Sequence, residues 1–233
     1  WGYSEAGHLL DIGRPLGAVL VSIQAMLINS VDDLAVNRFV SFAAYLITAY
    51  FIFNYYIKNK LLGSASALLA VFLILTLPSV QLVISWVSNA LPAVLTVLIS
   101  VISYVFLDKV TTLNPKSSDF KSNIFFLFLS FIALSAAFYI YPANALFFLV
   151  FPLSNILFSA SKDWKKTRLT VLRDLIFLIA ACIFYYVSIK VAFLLSAEMV
   201  NKAGTYYDFS IGLFSVSFTE KIAYVIRVLL QTL

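Results

Sequence analysis

The stretch LLGSASALLAVFLILTLPSVQLVISWVSNALPAVLTVLISVISYVFL, Leu61 to Leu107, runs for 47 residues without an Asp, Glu, Lys or Arg. A helix crosses a hydrocarbon core of roughly 30 Å with about 20 apolar residues, so the interval predicts two spans joined by a turn. Ser122 to Ser161 adds 40 uncharged residues and the same reading. Around these intervals lie three basic loops: Lys58-Asn59-Lys60, Asp108 to Lys121, and Ser161 to Arg173. Basic loops alternating with uncharged ones identify a polytopic membrane protein whose basic side faces the cytoplasm.

Composition agrees. The chain is 62% hydrophobic and 12% charged, against about 25% charged in a soluble domain. Ten of the 16 Lys and Arg lie on the side of the basic loops, with four acids there if Asp174, next to Arg173, is counted with them. The other side holds six basic residues and seven acids. This placement accounts for the net charge of +5 and leaves no ground for a nucleic-acid partner. The single cysteine, Cys182, allows no internal disulfide, and one histidine, His8, excludes a histidine metal cluster.

Six complete spans are predicted from the apolar runs. They are Phe39–Ile57, Leu61–Leu77, Asn89–Leu107, Asn123–Ile140, Ala143–Ala160 and Leu175–Leu195. Residues 1–38 form an outer loop, 39–195 the bundle, 196–219 a second outer loop, and 220–233 the start of a further span. Within the first loop, Pro15 to Val31 is apolar on one helical stripe (Leu16, Val19, Leu20, Ile23, Met26, Leu27), with Ser22, Gln24 and Asn29 off it. With Pro15 at its first turn, it predicts a helix lying in the membrane interface rather than across it. Ser30 to Arg38 is read as a polar connector. The chain starts at Trp1 and stops within an apolar stretch, and is read as a piece of a longer protein.

Polar chemistry concentrates in the outer loops. Glu5, His8, Asp11, Arg14, Asp32, Asp33 and Arg38 share the first. A carboxylate there can deprotonate a hydroxyl, and Arg14 or Arg38 can hold a phosphate through its planar fork of donors. The alternative is a solvated loop in which Asp32 and Asp33 cap the next helix. Lys190 interrupts the last span near its outer end, where it either snorkels to the interface or meets a lipid phosphate. Asn89, Asn144 and Asn155 are read as helix–helix hydrogen bonders. The spans as drawn contain no Asp, Glu or Arg, which argues against an ion-coupled transporter.

Gly13-Arg14-Pro15-Leu16 opening an interfacial helix, followed by a short acidic connector and a span ending in a basic turn, resembles the start of membrane glycosyltransferases of the GT-C class. These include protein O-mannosyltransferases and lipid A aminoarabinose transferases. The Gly-Arg-Pro-Leu form, the turn Tyr141-Pro142-Ala143-Asn144-Ala145 and the stretch Tyr185-Tyr186-Val187-Ser188-Ile189-Lys190 more closely resemble the phage and bacterial O-antigen glucosyltransferases.

The resemblance implies an all-α GT-C-like bundle in a bacterial inner membrane with its site facing the periplasm. It implies a polyprenyl-phosphate-linked sugar, glucose among the candidates, as donor and a glycan as acceptor. Arg14 matches the family segment directly, and Lys190 and Arg38 are further phosphate candidates. The family's catalytic acid is expected upstream of Trp1, with Asp11 and Glu5 in the same loop. Family members differ in metal use, which leaves a divalent metal open as cofactor. Two other readings stand beside it: a transporter or flippase for a lipid-linked saccharide, and a non-catalytic membrane subunit.

Overall fold

The structure, a computed structural model, describes residues 7, 9–10, 12–76, 90–110, 120–158 and 164–195. Glu5, His8, Asp11, Asn89, the turn at 78–88 and the segments 196–219 and 220–233 lie outside the described residues, as does most of the second basic loop. Every element among the described residues is helical. In order they are α1 (Pro15–Leu27), α2 (Val31–Lys58), α3 (Ser64–Leu75), α4 (Ala90–Asp108), α5 (Phe120–Ile140), α6 (Pro142–Ala145), a 3₁₀ turn (Leu146–Leu149), α7 (Val150–Phe158) and α8 (Trp164–Leu195). The chain divides into two compact units, Trp1–Tyr186 and Val187–Leu233. Of the second, the described part is the end of α8.

Among the described residues, four helices are long and apolar enough to cross a membrane: Val31–Lys58, Ala90–Asp108, Lys121–Ile140 and Thr167–Ala192. Phe39, Leu68, Phe72, Phe128, Leu157 and Ile176 each expose more than half their surface. Apolar side chains of that size and number are a liability in water and a match for lipid. The protein is a multi-pass membrane protein.

Three predicted boundaries are corrected. The connector Ser30–Arg38 is not a loop. Ser30 is the N-cap of α2, accepting from the Asp33 backbone N–H at 3.2 Å. The Asp33 carboxylate in turn accepts from the Ser30 hydroxyl at 2.8 Å and the Asn29 N–H at 3.0 Å. This reciprocal cap starts the helix at Val31, well before the charges end. Nor is the third basic loop a loop throughout, because α8 begins at Trp164 and carries Arg168 and Arg173 as helical residues. The predicted span Ala143–Ala160 is broken into α6, a 3₁₀ turn and α7. Pro142 opens the first piece, and Pro152 lies in the last without a backbone donor.

Contacts between distant residues give the bundle two distinguishable ends. At one, Lys58 Nζ lies 3.8 Å from Asp108 Oδ2, and Arg173 Nη1 donates to the Val110 carbonyl at 3.0 Å. Thus α2 and α4 finish together, and α8 starts beside them. This basic end carries Lys58, Lys60, Lys109, Arg168 and Arg173. Because α2 and α4 are parallel, the chain between them must return. α3 begins that return, its Leu75 carbonyl accepting from the Tyr45 hydroxyl. At the opposite end Asn144 Nδ2 donates to the Ala93 carbonyl at 3.3 Å. The broken segment then runs back, reaching the basic end where Phe158 lies edge-on to Tyr56.

The core holds the ends apart. α4 packs most extensively against α5, where Ser103 and Ser130 exchange hydroxyl-to-carbonyl bonds, each 2.8 Å. Small hydroxyl residues let two helices approach closely in lipid. Fully buried Tyr104 stacks on Phe151 at 4.2 Å between ring centroids. α1 is held by Gly17, whose missing Cβ would stand 2.7 Å from the Ile140 carbonyl oxygen. Buried Gln24 further ties it to α2 by donating to Asn37 Oδ1 at 3.2 Å.

Candidate functional site

The segment Gly13-Arg14-Pro15-Leu16 is a corner between two helical pieces. The Arg14 N–H donates to the Leu9 carbonyl at 2.8 Å and the Gly13 N–H to that of Leu10 at 3.0 Å. These are the paired bonds of a left-handed C-cap. The left-handed residue is Gly13, with φ 77°, where a side chain would be strained. Pro15 then starts α1 at its first position, where no backbone donor is needed. Gly13 and Pro15 thus each have a separate steric reason for their place.

The corner meets the two other segments that carry the family resemblance. The Arg14 guanidinium lies over the Tyr141 ring, 4.3 Å from its centroid. The Tyr185 hydroxyl donates to the Gly13 carbonyl at 2.9 Å, across 172 residues of chain. Tyr185 also packs edge-on against Tyr139 at 5.4 Å. Arg14 is half-buried and forms no ion pair with any carboxylate among the described residues. Stacking on an aromatic face leaves a guanidinium's in-plane N–H groups pointing outward, the geometry that grips phosphate or carboxylate.

The other predicted site residues are not gathered there. Arg38 is exposed on the second turn of α2. Lys190 is half-buried on the last turns of α8, in the second unit. Asp11 and Glu5 fall outside the described residues, so no acid is placed at the corner. Asp33 serves as a cap rather than a site acid. Among the described residues, no three of His, Cys, Asp and Glu come together to hold a metal ion.

At the basic end the structure assembles a network that sequence reasoning missed. Fully buried Asp174 accepts from the Tyr104 hydroxyl at 2.8 Å. Its other oxygen accepts from Arg173 Nε at 2.9 Å and Nη2 at 2.8 Å. Tyr104 in turn accepts from Asn155 Nδ2 at 3.1 Å, and Asn155 Oδ1 accepts from the Tyr55 hydroxyl at 2.9 Å. One donor direction satisfies the whole chain, Tyr55 to Asn155 to Tyr104 to Asp174. It joins α2, α7, α4 and α8. The span drawn from Leu175 holds no acid, but the apolar helix extends back over Thr167–Ala192 and so includes Asp174. In sequence Asp174 directly follows Arg173 and groups with the basic loop. A usable signal was depth: Tyr55, Tyr104 and Asn155 all stand a turn or so inside the basic segments. Asn144 and Asn155 do make the interhelical bonds expected of them.

Compared with protein-family models, curated proteins and solved structures, the chain matches none.

Proposed function

We propose that this chain is a membrane glycosyltransferase of GT-C type. It moves a sugar, glucose on the strength of the O-antigen glucosyltransferase resemblance, from a polyprenyl-phosphate donor to a glycan such as O-antigen. The membrane is the bacterial inner membrane, and transfer takes place on its periplasmic face. The observation that supports the reading is convergence. Three segments singled out by the resemblance, around Arg14, Tyr141 and Tyr185, are far apart in sequence and in contact in the fold.

In this reading six segments cross the bilayer, the basic end faces the cytoplasm, and the Arg14 corner sits at headgroup depth on the other side. Arg14 grips the donor phosphate. The bond between the anomeric carbon and the phosphate oxygen breaks, and the acceptor oxygen takes its place. A carboxylate removes the acceptor's proton, Asp11 and Glu5 being the candidates within this chain. The polyprenyl phosphate departs with its charge held by Arg14. Chelator treatment of the purified protein decides whether a divalent metal takes part.

The test is transfer by purified protein in nanodiscs from polyprenyl-phosphate glucose to an O-antigen acceptor. Arg14→Lys is expected to lose at least about tenfold, since charge survives but the fork of donors does not. Unimpaired transfer by folded Arg14→Ala would remove Arg14 from the site. A second reading, a transporter or flippase for a lipid-linked saccharide, gains support from Asp174, because buried intramembrane acids often mark translocation routes. Movement of the donor across liposome membranes, abolished by Asp174→Asn and unaccompanied by transfer, would favour it.

A further inference from the structure

At the basic end, α7 and the first turns of α8 flank an open cleft of about 520 Å³, within the range of about 300–1,000 Å³ typical of small-molecule sites. Its wall is almost wholly apolar. Ile156 comes from α7, and Trp164, Leu169, Leu172 and Leu175 from α8, with Arg168 as the charged residue among the lining. Leu169 and Leu172 are more than half exposed, and Trp164 nearly so. In water such a surface would be costly, whereas in a bilayer it is open to acyl chains. Trp at an apolar–polar boundary is characteristic of the headgroup level. Arg168 forms no ion pair among the described residues, unlike neighbouring Arg173, which is committed to Asp174. The helix opens Trp164-Lys165-Lys166-Thr167-Arg168, so its first turns are strongly basic.

We propose that this cleft is a binding site for an anionic glycerophospholipid. One acyl chain lies along Ile156, Leu172 and Leu175, and the headgroup phosphate meets Arg168. Charge complementarity selects the occupant. Arg168 beside an apolar cleft, on a helix whose first turns are basic in sequence, fits a lipid whose headgroup bears net negative charge, and a zwitterionic lipid lacks that match. The site lies at the end of the bundle opposite the Arg14 corner, and its occupancy is independent of which reading of function holds.

Native mass spectrometry of the full chain, purified in mild detergent, tests the proposal with phosphatidylglycerol, phosphatidylcholine and a polyprenyl phosphate offered in turn. Phosphatidylglycerol should be retained in preference to phosphatidylcholine. Arg168→Gln should cut that preference about fivefold, the contribution of one basic side chain near an anionic surface, and Arg168→Lys should restore most of it. Leu172→Trp, which fills the cleft, should abolish retention of either lipid. Phosphatidylglycerol carrying brominated acyl chains should quench a component of fluorescence that Trp164→Phe removes. Equal retention of both phospholipids, or a preference untouched by Arg168→Gln, overturns the proposal. Displacement of phosphatidylglycerol by stoichiometric polyprenyl phosphate overturns it too, and reassigns the cleft to an isoprenoid tail.

Discussion

The two ends of the bundle use the same ingredients, tyrosines around one arginine, in opposite ways. At the basic end Tyr55, Tyr104 and Asn155 feed hydrogen bonds into Asp174, and Arg173 closes the same carboxylate. Each of these groups is engaged by another. At the Gly13–Arg14 corner the tyrosines support the arginine without neutralising it. Tyr141 lies under its face and Tyr185 fastens the backbone next to it. A satisfied network fixes helices, whereas Arg14 is held on an aromatic face with no ion pair among the described residues. The contrast separates an end closed by mutual hydrogen bonds from a corner where one cation is held by aromatic and backbone contacts.

The largest effect should come from the basic end. Asp174→Ala leaves Arg173 without its partner and the Tyr104 hydroxyl without its acceptor. Breaking a fully buried pair costs about 3–5 kcal/mol, and with Arg173 a third exposed and still bonded to Val110 the loss should be about 3 kcal/mol. Unfolding in detergent, by heat or by titration with a denaturing detergent, should register it, and a loss below about 1 kcal/mol would mean the network is not the clamp described here. Next comes Gly17→Ala at the corner. The added Cβ would meet the Ile140 carbonyl at 2.7 Å, and backbone yields poorly. Despite alanine's better helix propensity, a net loss of about 1–3 kcal/mol is expected, with α1 released from α5. Increased proteolysis near Pro15 would report that release.

Arg14→Ala sharpens the comparison further. Among the described residues it removes a cation–aromatic contact and no ion pair, so stability should fall by only about 1 kcal/mol. If stability instead collapses as for Asp174→Ala, the corner is a second clamp. The smallest effect concerns a turn the two ends share. α2 ends with the same left-handed cap as the corner, through Leu61 N–H to the Tyr56 carbonyl and Lys60 N–H to that of Ile57, each 3.0 Å. Here the left-handed residue is Lys60, with φ 53°. Lys60→Gly should gain about 0.5 kcal/mol, the left-handed penalty of a side chain less glycine's entropy cost, readable as a small rise in melting temperature.

What could be read from the sequence was governed by charge. Uncharged intervals disclosed the long helices, and the grouping of Lys58, Asp108 and Arg173 anticipated one basic end. Helix limits were harder, because charge marks where lipid ends rather than where a helix ends. Ser30 and Asp33 start α2 among polar residues, and α8 runs through Arg168 and Arg173 before reaching its apolar stretch. The same assumption hid Asp174, which borders an apolar run in sequence but is buried among four helices. At the corner, the Gly-Arg-Pro-Leu segment was legible as a helix start. Its partners were not, because Tyr141 and Tyr185 reach it only through tertiary packing of α5 and α8.

Lys60 sits where folding and biosynthesis ask for different residues. The turn after α2 carries two lysines in three positions, Lys58 and Lys60, and charges in such short turns decide which way a newly made hairpin enters the bilayer. Glycine at position 60 would relax the backbone and at the same moment halve that signal. The variant that withstands heat best in detergent should therefore insert with the wrong orientation more often in cells.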